Sequence, residues 1–151
     1  MGRYNALDIA KHIIKCFDEK GEPISNLKLQ KLLYFAWIEY YNKKKEYLFS
    51  QPFEAWRFGP VVPDVYYEYS IFGGLPIFLE LLETIEESGC CIEESDVKIL
   101  EKPIDAYLNK SVFEMVKETH KVNGAWDCVY SGNPQNKKEI PFITIIEKEC
   151  R

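Results

Sequence analysis

The stretch from Asn26 to Tyr40 constrains the fold of this chain more than any other. Pro23-Ile24-Ser25-Asn26 supplies a turn and an N-cap candidate ahead of it. Leu29, Leu32, Leu33, Ala36 and Tyr40 then recur at the spacing of one helix face. Tyr34, Phe35 and Ile38 fall on the other faces of the same helix. A helix apolar nearly all round is either central in its fold or covered by a partner, and central burial is the expectation here.

A preceding amphipathic helix is predicted from an N-cap at Asn5 to near Gly21, with Ala6, Ile9, Ala10, Ile13 and Phe17 as its apolar stripe. After the central helix comes Phe53-Glu54-Ala55-Trp56-Arg57-Phe58-Gly59-Pro60-Val61-Val62-Pro63. It reads as a short extended segment that Gly59-Pro60 halts, with Pro63 suited to the first turn of a new helix. That helix carries Tyr66, Tyr67 and Tyr69 and ends at Gly73-Gly74. Strand alternation puts Glu54 and Trp56 on one side and Arg57 on the other, which leaves Lys31 as a candidate partner for Glu54. Phe53, Ala55 and Trp56 are expected to anchor the strand on the central helix. A strand-to-helix corner this sharp fixes the geometry of a site, chemical or architectural.

Further on, Phe78, Leu81, Leu82 and Ile85 repeat at helical spacing opposite Glu80, Glu83, Thr84 and Glu87, and Ser88-Gly89 closes the segment. Cys90 to Lys102 is weakly patterned and suits a short strand or a helix, and Pro103 should start or kink a helix running to Leu108. Ser111-Val112-Phe113-Glu114 is a capping box that predicts a helix to about Lys121, broken by Asn123-Gly124. Ser131 to Asn136 reads as a polar loop. In Pro141-Phe142-Ile143-Thr144-Ile145-Ile146 the β-branched residues favour a strand. The leading proline and the following Glu147-Lys148-Glu149 favour the helix preferred here. The expected fold is mostly α (α+β), one compact multi-helix domain over residues 1–151 with a small antiparallel β element around residues 53–58.

Several functions are disfavoured by composition. A net charge of −5 argues against direct nucleic-acid binding, and Lys43-Lys44-Lys45 and Lys137-Lys138 are short, separated runs of solvated lysines. No apolar run reaches the roughly 18 residues of a membrane span, and no signal-like segment opens the chain, so a cytoplasmic protein is expected. The five cysteines are odd in number and form no zinc spacing, so reduced thiols are expected. Asp8, His12 and Cys16 share one side of the first helix, but no second helix offers matching ligands, and no metal is expected. His120, with Cys128 near in sequence and Glu54 farther off, lacks the surroundings of a catalytic nucleophile. No phosphate loop or dinucleotide fingerprint is present, so neither a cofactor nor catalytic residues are assigned.

Leu29-Gln30-Lys31-Leu32-Leu33-Tyr34-Phe35-Ala36, the run from Phe53 to Pro63, and Val65-Tyr66 with Tyr69 resemble the Panacea antitoxin domain family of SocA-like and phage-associated GepA-like proteins. Thr119-His120 followed by Trp126 is similar to that family's C-terminal signature. The likeness extends from Asn5 to the last helix and departs most between Cys90 and Leu108, where Pro103 replaces uninterrupted helix. The resemblance implies an α-rich fold and no catalytic activity. It also implies an antitoxin of a prophage or mobile element that neutralises the toxin of an adjacent gene by direct binding. A ClpXP adaptor that delivers the toxin for proteolysis is the alternative, and an unrecognised His/Cys enzyme a more distant one. On that reading Tyr34, Trp56, Arg57, Phe58, Tyr66, Tyr67, His120 and Trp126 are partner-binding candidates, with Arg57 and Phe58 the most free to meet a partner. Glu54, Gly59, Pro60, Val61 and Pro63 are architectural. The negative charge would suit a basic toxin, and homo-oligomerisation stays open.

Overall fold

Helix α1 (Ala6–Glu19) starts at the expected cap, where the Asn5 side chain accepts a hydrogen bond from the Leu7 N–H. Its predicted stripe is buried in full, together with Ile14. The computed structural model describes residues 2–81, 92–130 and 137–151.

Helix α2 (Asn26–Lys44) is capped by Ser25, whose hydroxyl accepts from the Lys28 N–H, and it closes at Lys45 in the left-handed conformation. It is the central element. Helices α1, α3 (Pro63–Glu68), α4 (Glu94–Tyr107), α5 (Val112–Thr119) and α7 (Phe142–Glu149) all pack on it. Tyr34 and Trp37 lie off the predicted stripe and are buried too, because neighbours cover nearly every face of this helix.

The β structure is larger than expected and falls into two pieces. Strands β1 (Gly2–Tyr4) and β2 (Tyr47–Phe49) pair in parallel, Gly2 with Tyr47 and Tyr4 with Phe49. Strands β3 (Phe53–Trp56), β4 (Gly59–Val61) and β5 (Glu139–Ile140) form an antiparallel sheet in the order β4-β3-β5. Gly59-Pro60 therefore does not end the extended structure. It begins the second strand of a hairpin, with Arg57 and Phe58 as the connecting turn. Proline is tolerated because β4 is an edge strand and no ladder hydrogen bond needs its missing N–H.

Helix α4 runs from Glu94 through Pro103 to Tyr107, so no separate helix begins at the proline. Helix α5 ends at Thr119, two residues short of expectation, with the Ser111 hydroxyl accepting from the Glu114 N–H. Helix α6 (Ala125–Tyr130) follows Gly124, and the ambiguous segment after Pro141 is helical, as α7. Of the acidic stripe, Leu82, Glu83, Thr84, Ile85, Glu87 and Ser88-Gly89 lie outside the described residues, as do Cys90, Cys91 and the loop 131–136. Among the described residues, no helix is long and apolar enough to cross a membrane.

Candidate partner-binding site

Three polar side chains on α2 explain how the corner between β4 and α3 is held. Asn26, Gln30 and Lys31 are all buried, which demands partners for each. Four residues apart, Gln30 Nε2 donates to Asn26 Oδ1 at 3.0 Å. Gln30 Oε1 accepts from the Val62 N–H at 2.9 Å, and Asn26 Nδ2 donates to the Tyr66 carbonyl at 2.9 Å. Lys31 Nζ donates to the Pro60 carbonyl at 2.8 Å. The chain leaving the hairpin thus finds on α2 the hydrogen bonds that β4 and α3 do not supply.

Gly59 sits directly on this ladder with φ +113°. A Cβ there would lie 2.7 Å from Thr119 Oγ1 and 2.9 Å from Lys31 Cε. Glycine is required on both grounds, conformation and space. Lys31 is not the partner of Glu54. Glu54 instead accepts from Trp56 Nε1 at 2.8 Å on the outer side of the strand. The expected sharing of one strand side by Glu54 and Trp56 therefore holds, while the expected packing of Trp56 on α2 does not. Phe53 and Ala55 fill that inner position. Burial alone pushes the Lys31 amine down to about 7.

The outer side carries an aromatic cluster. Trp56 and Tyr66 meet edge to face at 4.9 Å between ring centroids, Tyr66 and Tyr67 at 5.6 Å. Lys137 Nζ stands 4.2 Å over the Trp56 ring. Tyr67 is 60% exposed, and at the hairpin turn Phe58 is 54% exposed with the Arg57 guanidinium 5.4 Å over its ring.

His120 and Trp126 lie apart from the Trp56–Tyr66–Tyr67 cluster: His120 lines a groove shared with Arg57 and Phe58, and Trp126 is turned inward. Their rings stack in parallel at 3.7 Å, and Trp126 stacks in turn on Tyr130 at 4.4 Å. Trp126 Nε1 donates to the Trp56 carbonyl at 2.7 Å, which locks α6 to the hairpin. Trp126 is buried, as is Tyr34, whose hydroxyl donates to Glu149. Both are therefore internal braces rather than surface anchors. Burial, and after it the Lys31 charge, lowers the His120 pKa, which favours the neutral ring. Cys128 is exposed with its thiol on the Asn123 carbonyl, and neither Cys128 nor Glu54 hydrogen-bonds His120. On α1, burial lowers His12 and raises Cys16, whose Sγ is 3.6 Å from His12 Nε2. Among the described residues no three metal-ligating side chains converge.

Two contributors escaped the sequence reading. Phe113 and Lys117 of α5 face the hairpin turn across an open groove of about 500 Å³. The signal was present: Met115 and Thr119 mark the core face of α5, and Phe113 lies off it, 68% exposed.

The family model described as "Antitoxin SocA-like, Panacea domain" matches residues 29–127. Over 120 residues the chain is 35% identical to "Antitoxin SocA" of Caulobacter vibrioides (strain NA1000 / CB15N). That alignment takes in 76% of this chain and 64% of the relative, so the chain spans a little under two-thirds of that protein's length. No solved structure matches the chain.

Proposed function

We propose, for a chain that belongs to the SocA-like antitoxin family with its Panacea domain, that it neutralises a cognate toxin by binding it directly. The reading rests on one observation. The stretch 29–127 that matches the family holds both the buried ladder of Gln30 and Lys31 and the hairpin which that ladder supports. The outcome of so much internal fixing is a rigid turn that displays Arg57 and Phe58 beside Trp56, Tyr66 and Tyr67. Arginine and large aromatics on a pre-organised surface are the residue types that dominate binding energy. Neutralisation by occlusion needs such a surface and no catalytic step.

The net charge of −5 favours a basic toxin by steering its approach. Co-expression with the neighbouring reading frame tests the reading. Growth rescue together with a co-purifying complex is expected, and the absence of both would sink it. The toxin's half-life separates the two modes of action. It should be unchanged or longer with this protein present, whereas a shortened half-life that recovers on removal of ClpX would mark proteolytic delivery instead.

A further inference from the structure

The groove between the hairpin turn and α5 differs in charge from the molecule around it. The whole chain carries 24 acidic and 19 basic side chains. The groove is lined by Arg57 and Lys117 and by no carboxylate. Helix α5 sorts its charges accordingly: Lys117 lies on the groove side, while Glu118 is turned to the Tyr107 hydroxyl and Lys110, and Glu114 is off the lining. Between the two cations the surface is mostly apolar, made by Phe58, Val112, Phe113 and Val116 with Leu27, and the His120 ring adds a polar edge. Each cation lies over the aromatic ring beside it, Arg57 over Phe58 and Lys117 over Phe113, both at 5.4 Å. The guanidinium and the ammonium thus flank the apolar channel from opposite walls, with donors left for an incoming acceptor.

We infer that this groove takes a segment of the toxin that presents apolar side chains together with aspartate or glutamate, the carboxylates lying against Arg57 and Lys117. The inference rests on the antitoxin reading for the identity of the occupant, and on the groove itself for its chemistry. Apolar side chains gain from leaving water against Phe58, Phe113 and Val116. Carboxylates meet the only charges of the lining, and a guanidinium suits a carboxylate in particular because it can donate two parallel hydrogen bonds. A basic segment would meet two like charges there, which turns the groove into a device for choosing among partners as well as holding one. The long-range field and the local site are opposite in sign. The expected toxin is therefore basic as a whole, with an acidic, apolar segment at the point of contact.

Arg57, Phe113 and Lys117 are exposed, so their replacement leaves the core intact. A displayed library of random dodecapeptides, panned on the full-length chain, should enrich sequences that combine apolar residues with Asp or Glu. A fluorescein-labelled enriched peptide, followed by anisotropy, should bind Phe113→Glu at least about tenfold more weakly. The double variant Arg57→Glu/Lys117→Glu should instead enrich peptides rich in Lys and Arg. Enrichment of peptides without carboxylates, undiminished binding to Phe113→Glu, or no enrichment at all would overturn the inference. Co-expression with the neighbouring reading frame separates the two layers. Rescue by the wild type and equal rescue by the double variant removes the groove and leaves the antitoxin. Peptide binding without rescue removes the antitoxin and leaves the groove.

Discussion

Asp96 on α4 and Lys31 on α2 are both buried charges that meet the central helix, and they are held in contrasting ways. The Asp96 carboxylate lies against the C-terminal half of α2. Its Oδ2 accepts from the Tyr4 hydroxyl at 2.6 Å and the Tyr40 hydroxyl at 3.3 Å. Lys44 Nζ stands 3.6 Å from Oδ1 and Arg3 Nε 3.9 Å from Oδ2. One carboxylate so gathers β1, α2 and α4. Among the described residues Lys31 has a single hydrogen-bond partner, the Pro60 carbonyl, and no opposing charge. The first charge has cations and hydroxyls about it, whereas burial without a counter-charge pushes the second down to about 7. Asp96 closes the fold, whereas Lys31 serves the corner that displays the hairpin.

The sharpest way to break this contrast is Asp96→Ala. Two hydroxyls would lose their charged acceptor and two cations their counter-charge, and destabilisation of about 3–5 kcal/mol is expected from urea denaturation, most of it from the two hydrogen bonds to the carboxylate. A loss below about 1 kcal/mol would show that the site is not a closure point. Gly59→Ala comes next, on the Lys31 side. A positive φ and a Cβ 2.7 Å from Thr119 Oγ1 should destabilise by about 2–3 kcal/mol. An alanine variant of unchanged stability would mean that the corner is loosely held.

Lys31→Met tests the isolated charge itself. An ordinary lysine titrates near 10.5, and this one is pushed down to about 7. Between those values the unfolded chain binds more protons than the folded one, so stability rises with pH. Below about 7 both states are protonated and the wild type carries the full cost of burying the charge. The stability difference between wild type and Lys31→Met should therefore shift by about 2–4 kcal/mol in favour of the wild type from pH 7 to pH 10. Titrating groups that do not feel Lys31 cancel in that difference, and His120, which does, titrates mainly below this range. At pH 7 itself the variant should stay close to the wild type, the lost bond to Pro60 offset by the removed amine. A flat difference across the range would show that the amine is not isolated.

These contrasts mark where the sequence was legible. Helices α1, α2 and α5 announced themselves through caps at Asn5, Ser25 and Ser111, because a cap and a 3.6-residue stripe are local signals. The β structure was harder to read. Gly59-Pro60 reads as a stop, since only the three-dimensional arrangement reveals β4 as an edge strand that can hold a proline. Strands β1 and β5 are three and two residues long and pair with distant partners, so no alternation betrays them. Within the site, aromatic type alone did not tell surface from core. Tyr34 lies on a helix covered on nearly every side, and Trp126 is turned inward by its bond to the Trp56 carbonyl. Glu54, on the strand side opposite Arg57, needs another partner and so suggests Lys31, whereas the structure gives Lys31 the Pro60 carbonyl and Glu54 the Trp56 indole.

The last substitutions should leave stability almost untouched, and that is their value. Arg57→Ala and Phe58→Ser alter exposed side chains at the hairpin turn, away from the ladder beneath it. Stability within about 0.5 kcal/mol of the wild type is expected by thermal melting. Toxin binding measured on the same samples should fall about tenfold or more for each. If either variant melts several degrees lower, the turn supports the fold and the division between Asp96 as closure and Lys31 as support for a display surface is drawn too sharply. If both melt normally and bind normally, the turn is held rigid for a purpose other than contact. Only normal melting with weakened binding fits a corner whose buried hydrogen bonds exist to present two side chains to another protein.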